Sequence, residues 1–210
     1  MKIELREYQK QDFKVLETII RETWHYEEFA SSKTATKLAK VFLSSCLTNY
    51  TFSRVAIVDG NVVGIILVNN IAKHKCKFSH RLLQIKSILS LYISKEGRNV
   101  SKIFGSVNGI DKQLLKENNK IYPAELALFA VSSSCRGKGI GKMLFQSALN
   151  YMKQEKLKEF YLFTDTSCNY GFYEHQGMKR RIEKKHTFNI KGTQATMNFF
   201  IYDYQFNHHQ

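Results

Sequence analysis

The sequence is poor in proline and cysteine and has no long apolar run. A single proline in 210 residues argues against a proline-rich linker. The longest apolar runs, such as FFIY at 199–202, are far too short to cross a bilayer, and the first ten residues lack the apolar core of a secretory signal. The four cysteines form no C-x-x-C pair, which favours free thiols in a reducing compartment. We therefore expect a cytoplasmic protein with no membrane partner and no metal site.

Acidic residues are also scarce. Eighteen Asp and Glu stand against 32 Lys and Arg, for a formal net charge of +14, which indicates an anionic partner without saying which one. Residues 71–120 carry eleven Lys and Arg but three Asp and Glu, a net +8. The composition, 43% apolar and 24% charged, is that of a globular protein, and the length suits one domain over 1–210.

Several segments have clear strand or helix patterns. Residues 3–8 alternate as a strand, and Asp12 is placed to cap a helix that continues to about Trp24. A second helix is expected over about 33–47. The segment 53–69 is typical of a hairpin that turns at Asp59-Gly60-Asn61, and 179–204 reads as two antiparallel strands turning near Lys191-Gly192.

A βαβ unit is predicted near the middle of the chain. The apolar runs ELALFAV (125–131) and FYLFTD (160–165) lack alternation, as expected of strands buried on both faces. Between them, apolar residues from Ile140 to Met152 follow the helical period. The two strands should be parallel with a right-handed crossover. We predict a single α/β domain with a mixed, mostly antiparallel sheet of about seven strands and flanking helices.

The segment 71–120 is expected to be a basic helical insertion, because a structureless loop of that length would be unusual. An apolar stripe indicates one helix, and DKQLLKE (111–117) a short second one; the stripe comprises Leu82, Ile85, Ile88, Leu89 and Tyr92. Two interpretations stay open. The stripe packs on the core while the basic face is solvated, or the segment recognises an acidic substrate or nucleic acid.

A glycine-rich loop at 136–142, RGKGIGK, connects the first central strand to the helix. It fits neither the dinucleotide fingerprint, whose third glycine is replaced by Lys142, nor the P-loop, which needs Ser or Thr where Met143 stands. The N–H groups of the first helical turn and the helix dipole nevertheless favour an anion here. Glycines let a phosphate approach the backbone closely, and the three cationic side chains add positive charge.

The spacing R-x-x-G-x-G, set by Arg136, Gly139 and Gly141, resembles the acetyl-CoA-binding motif of the GCN5-related N-acetyltransferase (GNAT) superfamily. Downstream, FYLFTDTSCNYGFYEHQGMKR is similar to that family's second signature, a strand followed by a helix ending in F-Y-x-x-x-G-[FM]. The two signatures together cover about 125–180. The resemblance implies acetyl-CoA as cofactor and acetyl transfer as activity.

The resemblance also implies the cofactor-binding residues. Backbone amides of the loop would hold the coenzyme A pyrophosphate, and the preceding strand would pair with the pantetheine arm. These residues are Phe129, Ala130, Val131, Arg136, Gly137, Lys138, Gly139, Ile140, Gly141 and Lys142. Where many members have an Asn, this chain has Thr166, so the nearby Asn169 is the remaining candidate for that contact.

Two side chains are candidates for the chemistry. Glu125 opens a buried apolar strand, where a carboxylate has a raised pKa suited to a general base, and period-two alternation places it on the face of Phe129 and Val131. Tyr173 lies in the helical turn that Gly177 closes and, by analogy with the family, is the acid that protonates the departing thiolate.

The predicted function is direct transfer of an acetyl group from acetyl-CoA to a primary amine. No His–acid pair is visible around Cys135 or Cys168, which argues against a covalent cysteine route. The amine stays open, from small polyamines to protein amines, and so does a homodimer. The alternatives are a non-catalytic basic protein that binds nucleic acid and a protein that senses coenzyme A. Nucleic acid is disfavoured because no RNA-binding signature is present.

Overall fold

Seven strands form one sheet in the computed structural model, which describes residues 2–190 and 193–206. Their order is β1-β2-β3-β4-β5-β7-β6, and every neighbouring pair is antiparallel except β4 and β5. The strands are β1 (Ile3–Arg6), β2 (Phe52–Val58), β3 (Asn61–Asn70), β4 (Ala124–Val131), β5 (Glu159–Asp165), β6 (Lys179–Ile190) and β7 (Thr193–Gln205). The predicted mixed sheet and the parallel pair are confirmed. The turn expected near Lys191-Gly192 lies outside the described residues.

The described residues contain six α-helices: α1 (Phe13–Thr23), α2 (Ser32–Cys46), α3 (Phe78–Tyr92), α4 (Lys95–Glu117), α5 (Ile140–Gln154) and α6 (Gly171–His175). Successive residues of β3 belong to different cores, because side chains along a strand alternate between faces. Ile65 and Leu67 pack with α1 and α2, whereas Ile66 and Val68 pack with α5. A third cluster lies between α4 and the strands β5, β6 and β7.

The 71–120 segment is helical as predicted, but two details of the prediction are wrong. The second helix begins at Lys95 instead of near Asp111, because Ser94 caps it by accepting a hydrogen bond from the Gly97 N–H at 3.0 Å. The apolar stripe of α3 points outward: Leu89, for example, is 62% exposed. The core side of α3 is instead formed by Ser87 and Leu91, which are buried.

Asp12 occupies the N-cap position, directly before α1, but its side chain does not cap the helix, which corrects the expected role. Its side chain makes no capping hydrogen bond. The carboxylate is buried and accepts hydrogen bonds from the Arg6 guanidinium at 2.6 and 2.7 Å and from the Gln9 N–H at 2.8 Å. Asp12 therefore ties the chain that leaves β1 to the start of the first helix.

A β-bulge in β4 changes which residues share a face. Leu67 of β3 pairs with Leu128, and the next residue, Val68, pairs with Leu126, so Ala127 is an extra residue without a partner. The alternation of β4 shifts at this point. Phe129 consequently packs on the α5 side of the sheet, while Leu128 packs on the α1 and α2 side.

Candidate active site

The central feature of the site is the separation of the parallel strands β4 and β5. Within the described chain these strands share one pair in register, Glu125 with Tyr161. Beyond that pair the strands diverge, and a cleft of about 930 Å³ lies between their carboxyl ends. Both strands contribute to its lining, together with the glycine loop, the α6 region and helices α2, α3 and α4. A cleft outside the carboxyl ends of parallel strands is a frequent ligand site in α/β proteins.

The glycine loop forms one wall of this cleft. Gly137 and Gly139 have φ values of +75° and +78°, a conformation that glycine adopts without strain, and Gly139 directly precedes the first residue of α5. A Cβ built on either glycine would meet no atom within 4 Å, so the space beside them is open. The first N–H groups of α5 have no earlier turn to bond to. This open concavity at a helix start suits a phosphate group.

The predicted cofactor-binding residues lie together at the cleft, with two exceptions. Those that line it are Phe129, Ala130, Val131, Arg136, Gly137, Gly139, Gly141, Lys142 and Asn169. The side chain of Ile140 is buried in the core beneath the loop. The Lys138 ammonium turns back and donates to the Ser134 carbonyl at 3.0 Å. Ile140 and Lys138 therefore have only their backbone to offer a ligand in this conformation.

Glu125 lies where the two strands begin to separate, but not on the expected face. Because of the bulge, it is on the α2 side of the sheet, opposite Phe129 and Val131, which corrects the prediction from alternation. The Asn49 amide donates to its carboxylate at 2.9 Å, and the Asn69 amide donates to the Asn49 oxygen at 2.7 Å. Asn49 was not predicted, since nothing local in the sequence brings it to β4.

The environment of Glu125 makes it a better base than an exposed carboxylate. Burial raises the pKa of the Glu125 carboxyl, and hydrogen bonds from the Asn49 amide and the Tyr161 hydroxyl partly offset the rise. A carboxylate whose pKa is raised holds a proton more tightly, and is therefore a stronger acceptor near neutral pH. This agrees in direction with the pKa expected from the sequence.

Tyr173 lines the cleft from α6. Gly177 has a φ of +83° and ends the helix with two backbone bonds, from the Gly177 N–H to the Glu174 carbonyl at 2.9 Å and from the Met178 N–H to the Tyr173 carbonyl at 3.0 Å. This confirms the predicted position of Gly177. The Tyr173 ring packs 6.3 Å from the Phe129 ring, measured between centroids.

The hydroxyl of Tyr173 is held in its protonated form. Burial raises the pKa of Tyr173 above its usual range, and the negative charge of Asp165 adds to the rise. A phenol that keeps its proton at neutral pH is a donor, which is the property required of a general acid.

Two further carboxylates face the cleft, and neither was identified from the sequence. Asp111 projects from α4 and Asp165 ends β5. Burial raises the pKa of Asp111 to about 7, with additional contributions from the charges of Asp165 and Glu125. The position of Asp165 at the end of a buried strand is the kind of signal that could have identified it. Asp111 is recognisable only once α4 is placed over the cleft.

Cys168 also lines the cleft, but its surroundings do not activate it as a nucleophile. Burial raises the pKa of the Cys168 thiol, and the nearby charge of Asp165 raises it further. A buried thiol without a cationic neighbour is mostly protonated at neutral pH, and the thiolate is the reactive form. These features agree with the expectation that Cys168 carries no covalent intermediate.

The fold and this cleft are those of acyltransferases, and comparison with known proteins agrees. The family model for the acetyltransferase (GNAT) family matches residues 14–178, and the chain belongs to that family. Acetyl transfer from acetyl-CoA is the activity of the family, so the predicted class of enzyme is confirmed. No curated protein sequence matches the chain.

Solved structures show the same fold at low sequence identity. A putative phosphinothricin N-acetyltransferase is 15% identical with a TM-score of 0.56, and the alignment covers 98% of this chain and 99% of that one. PH1933 from Pyrococcus horikoshii OT3 is 17% identical, with a TM-score of 0.57 and the same coverage. PaiA N-acetyltransferase from Thermoplasma acidophilum, solved in complex with coenzyme A, is 18% identical with a TM-score of 0.50 over 98% of this chain and 100% of that one.

Proposed function

We propose that the chain transfers an acetyl group directly from acetyl-CoA to a primary amine that carries a second positive charge. The observation that supports this most strongly is the set of carboxylates that face the cleft. Three carboxylates, Asp111, Glu125 and Asp165, face one cleft in a protein whose net charge is +14. These carboxylates would attract a cationic acceptor into the cleft.

The glycine loop is the part of the chain that fits the cofactor. Open space beside Gly137 and Gly139 would accommodate a pyrophosphate against the backbone, and Arg136 and Lys142 border the same wall. Val131 and Phe129 of β4 would lie along the pantetheine arm. When bound, acetyl-CoA supplies the acetyl group and the thiol that leaves. The role of the chain is to hold it with the thioester near the point where β4 and β5 separate.

Glu125 would act as the base. An alkylammonium has a pKa near 10.4 in water, so the attacking nitrogen has to lose a proton before it is nucleophilic. Glu125 would accept this proton, directly or through a water molecule, while Asn49 fixes the orientation of its carboxylate. The unpaired backbone at the Ala127 bulge, which lines the cleft, would supply a donor for negative charge on the carbonyl oxygen.

Tyr173 would act as the acid. A nitrogen–carbon bond forms as the carbon–sulfur bond breaks, and the hydroxyl of Tyr173 would donate a proton to the departing sulfur. Starting from the ammonium form, the nitrogen loses two protons in total. One ends on the thiol and the other is released to solvent, so Glu125 and Tyr173 return to their original states after each turnover.

Asp111 and Asp165 would hold the second charge of the acceptor. Neither is needed to remove the proton in this scheme, because Glu125 lies where β4 and β5 begin to separate. Their charges would instead lower the free energy of a cation bound deep in the cleft. A short aliphatic diamine therefore fits the site better than a monoamine of equal length.

The pH dependence of a Glu125→Gln variant tests the proposed base. Glutamine can still accept the hydrogen bond from Asn49, so the fold should be kept. We expect kcat with a short diamine to fall about 100- to 1000-fold, as is typical when a positioned general base is removed. The inflection due to Glu125 should also disappear from the pH profile of kcat/KM.

The matched control is Glu4→Gln, which removes an exposed carboxylate on β1. It should leave both the rate and the profile unchanged. If Glu125→Gln keeps a near-native rate and the same inflection while binding acetyl-CoA normally, Glu125 is not the base.

A further inference from the structure

The outer face of α3 is a large exposed apolar surface, and of its seven apolar residues only Ile88 and Tyr92 also line the cleft. Phe78, at the start of the helix, is 81% exposed, and Ile93, just after its end, is 78% exposed. The remaining members are Leu82, Ile85, Ile88, Leu89 and Tyr92, which are 36–62% exposed. At roughly 200 Å² per large side chain, these fractions give on the order of 800 Å² of exposed apolar surface. Single chains rarely expose contiguous apolar patches larger than a few hundred Å².

The charged side chains around this face are all positive. At 3.6 residues per turn, the seven apolar positions fall within an arc of about 140°. Lys86 lies just outside one edge of that arc, Lys77 lies just outside the other edge, and Arg81 lies just inside that second edge; all three side chains are exposed. From residue 71 to residue 95 the sequence contains six Lys and Arg and no Asp or Glu. The face is therefore apolar in its middle and cationic along both edges.

We propose that α3 docks this face on an anionic lipid surface. An exposed apolar surface with cations along its edges suits the membrane interface, because apolar burial and attraction to anionic lipids both favour binding there. The side chains at the centre would enter the boundary of the acyl chains. The long stems of Lys77, Arg81 and Lys86 would let their charged ends reach the lipid headgroups.

Other occupants fit the face less well. A second copy of the chain would bring the same cations against each other, with no acidic side chain between residues 71 and 95 to pair with them. An acidic helix would match the charge, but a two-helix seam is narrower than this arc. Among the described residues, no helix has the length and apolar character to span a bilayer. Docking at the lipid surface requires no such helix, although the proposal departs from the expectation of no membrane partner.

Flotation of the full chain with lipid vesicles tests the proposal. The protein should float with phosphatidylcholine vesicles that contain phosphatidylserine, and binding should weaken as salt is added. Pure phosphatidylcholine should capture at least ten times less. Failure to float with the anionic vesicles, or equal flotation with both kinds, would overturn the proposal.

Substitutions on the apolar face of α3 provide a second test of the proposal. The double change Ile85→Glu and Leu89→Glu should reduce flotation at least tenfold. These residues do not line the cleft, so acetyl-CoA should still raise the melting temperature of the double variant and show that it is folded. The control is Val15→Glu, an apolar residue of α1 that is 44% exposed away from the α3 face. Equal loss in this control would contradict a role for α3.

Charge and self-association are tested separately. Reversing Arg81 and Lys86 to Glu should weaken flotation several-fold while the apolar face is intact.

The oligomeric state should be the same for the wild type and the double apolar variant in light scattering. A wild-type dimer that the apolar variant converts to a monomer would overturn the proposal, because a second copy would then cover the face. Binding to polyglutamate that is lost in the apolar variant would overturn it in favour of an acidic protein partner.

Discussion

Replacing Asp111 by asparagine should stabilise the protein and weaken acceptor binding at the same time. Burial and the charges of Asp165 and Glu125 raise the pKa of Asp111 from 3.8 to about 7. At 1.36 kcal/mol per pKa unit, this shift corresponds to at most about 4 kcal/mol. Asparagine has the same shape without the charge, but it still loses some hydration in the cleft. We therefore expect a net gain of about 1–3 kcal/mol in the free energy of unfolding near pH 8.

The sign follows from proton linkage. Between the unfolded pKa of 3.8 and the folded pKa of about 7, the folded state of Asp111 binds more protons than the unfolded state. Stability therefore falls as pH rises through this range, and the full cost of the charge is present above about pH 7. Near pH 4 most of this cost is absent, so the gain from Asp111→Asn should be under about 0.5 kcal/mol.

Urea unfolding at the two pH values measures this difference. The control is Glu117→Gln, which removes an exposed carboxylate of the same helix and its 3.4 Å ion pair with Lys184. This control should not be stabilised at either pH. In steady-state kinetics with a short diamine, Asp111→Asn should raise KM about 10- to 100-fold and leave kcat nearly unchanged, because one charge-assisted contact is lost. A variant that is less stable near pH 8, or equally stabilised at both pH values, would refute the reasoning.

Three other substitutions have distinct expected outcomes. Tyr173→Phe should lower kcat about 10- to 100-fold without changing acetyl-CoA affinity, since one hydroxyl is removed, and calorimetry together with initial rates will show whether it does. Gly139→Ala should weaken acetyl-CoA binding at least tenfold in the same titration. Gly60→Ala, another glycine with positive φ and open space around it, should bind normally at a similar cost in stability. Asp203→Asn should lower the free energy of unfolding by about 2–3 kcal/mol in urea, because the buried carboxylate pairs with Lys120 and Arg181 at 2.9 and 2.8 Å; an unchanged midpoint would contradict this.

The early hairpin, the parallel pair of strands and the glycine loop could be predicted because their causes are local. A turn at Asp59-Gly60 fixes a hairpin, and two apolar strands around one helix fix a parallel pair. The spacing of Arg136, Gly139 and Gly141 likewise predicts the concave shape of the loop, because that shape depends on a few backbone angles. These features need no knowledge of what packs against them.

The errors in the prediction concern relations between distant segments. Alternation predicted that Glu125 shares a face of the sheet with Phe129. The bulge at Ala127 reverses this, and it arises from pairing with β3, so the apolar sequence of β4 does not indicate it. The face of α3 that packs on α2 and α4 is set by those helices, so periodicity alone could not tell an inward stripe from an outward one. Asp111 reaches the cleft only because α4 extends back over it.

The measurement that tests the central claim most directly follows the acetyl group itself. The protein is mixed with acetyl-CoA carrying a deuterated acetyl group, and the masses of the protein and of the acceptor are recorded before and after a short aliphatic diamine is added. Direct transfer predicts an unlabelled protein before the addition and labelled diamine after it, formed with a kcat/KM at least tenfold above that of a monoamine of equal length. Label that accumulates first on a cysteine of the protein, or bound acetyl-CoA with no labelled amine from either acceptor, would contradict the account.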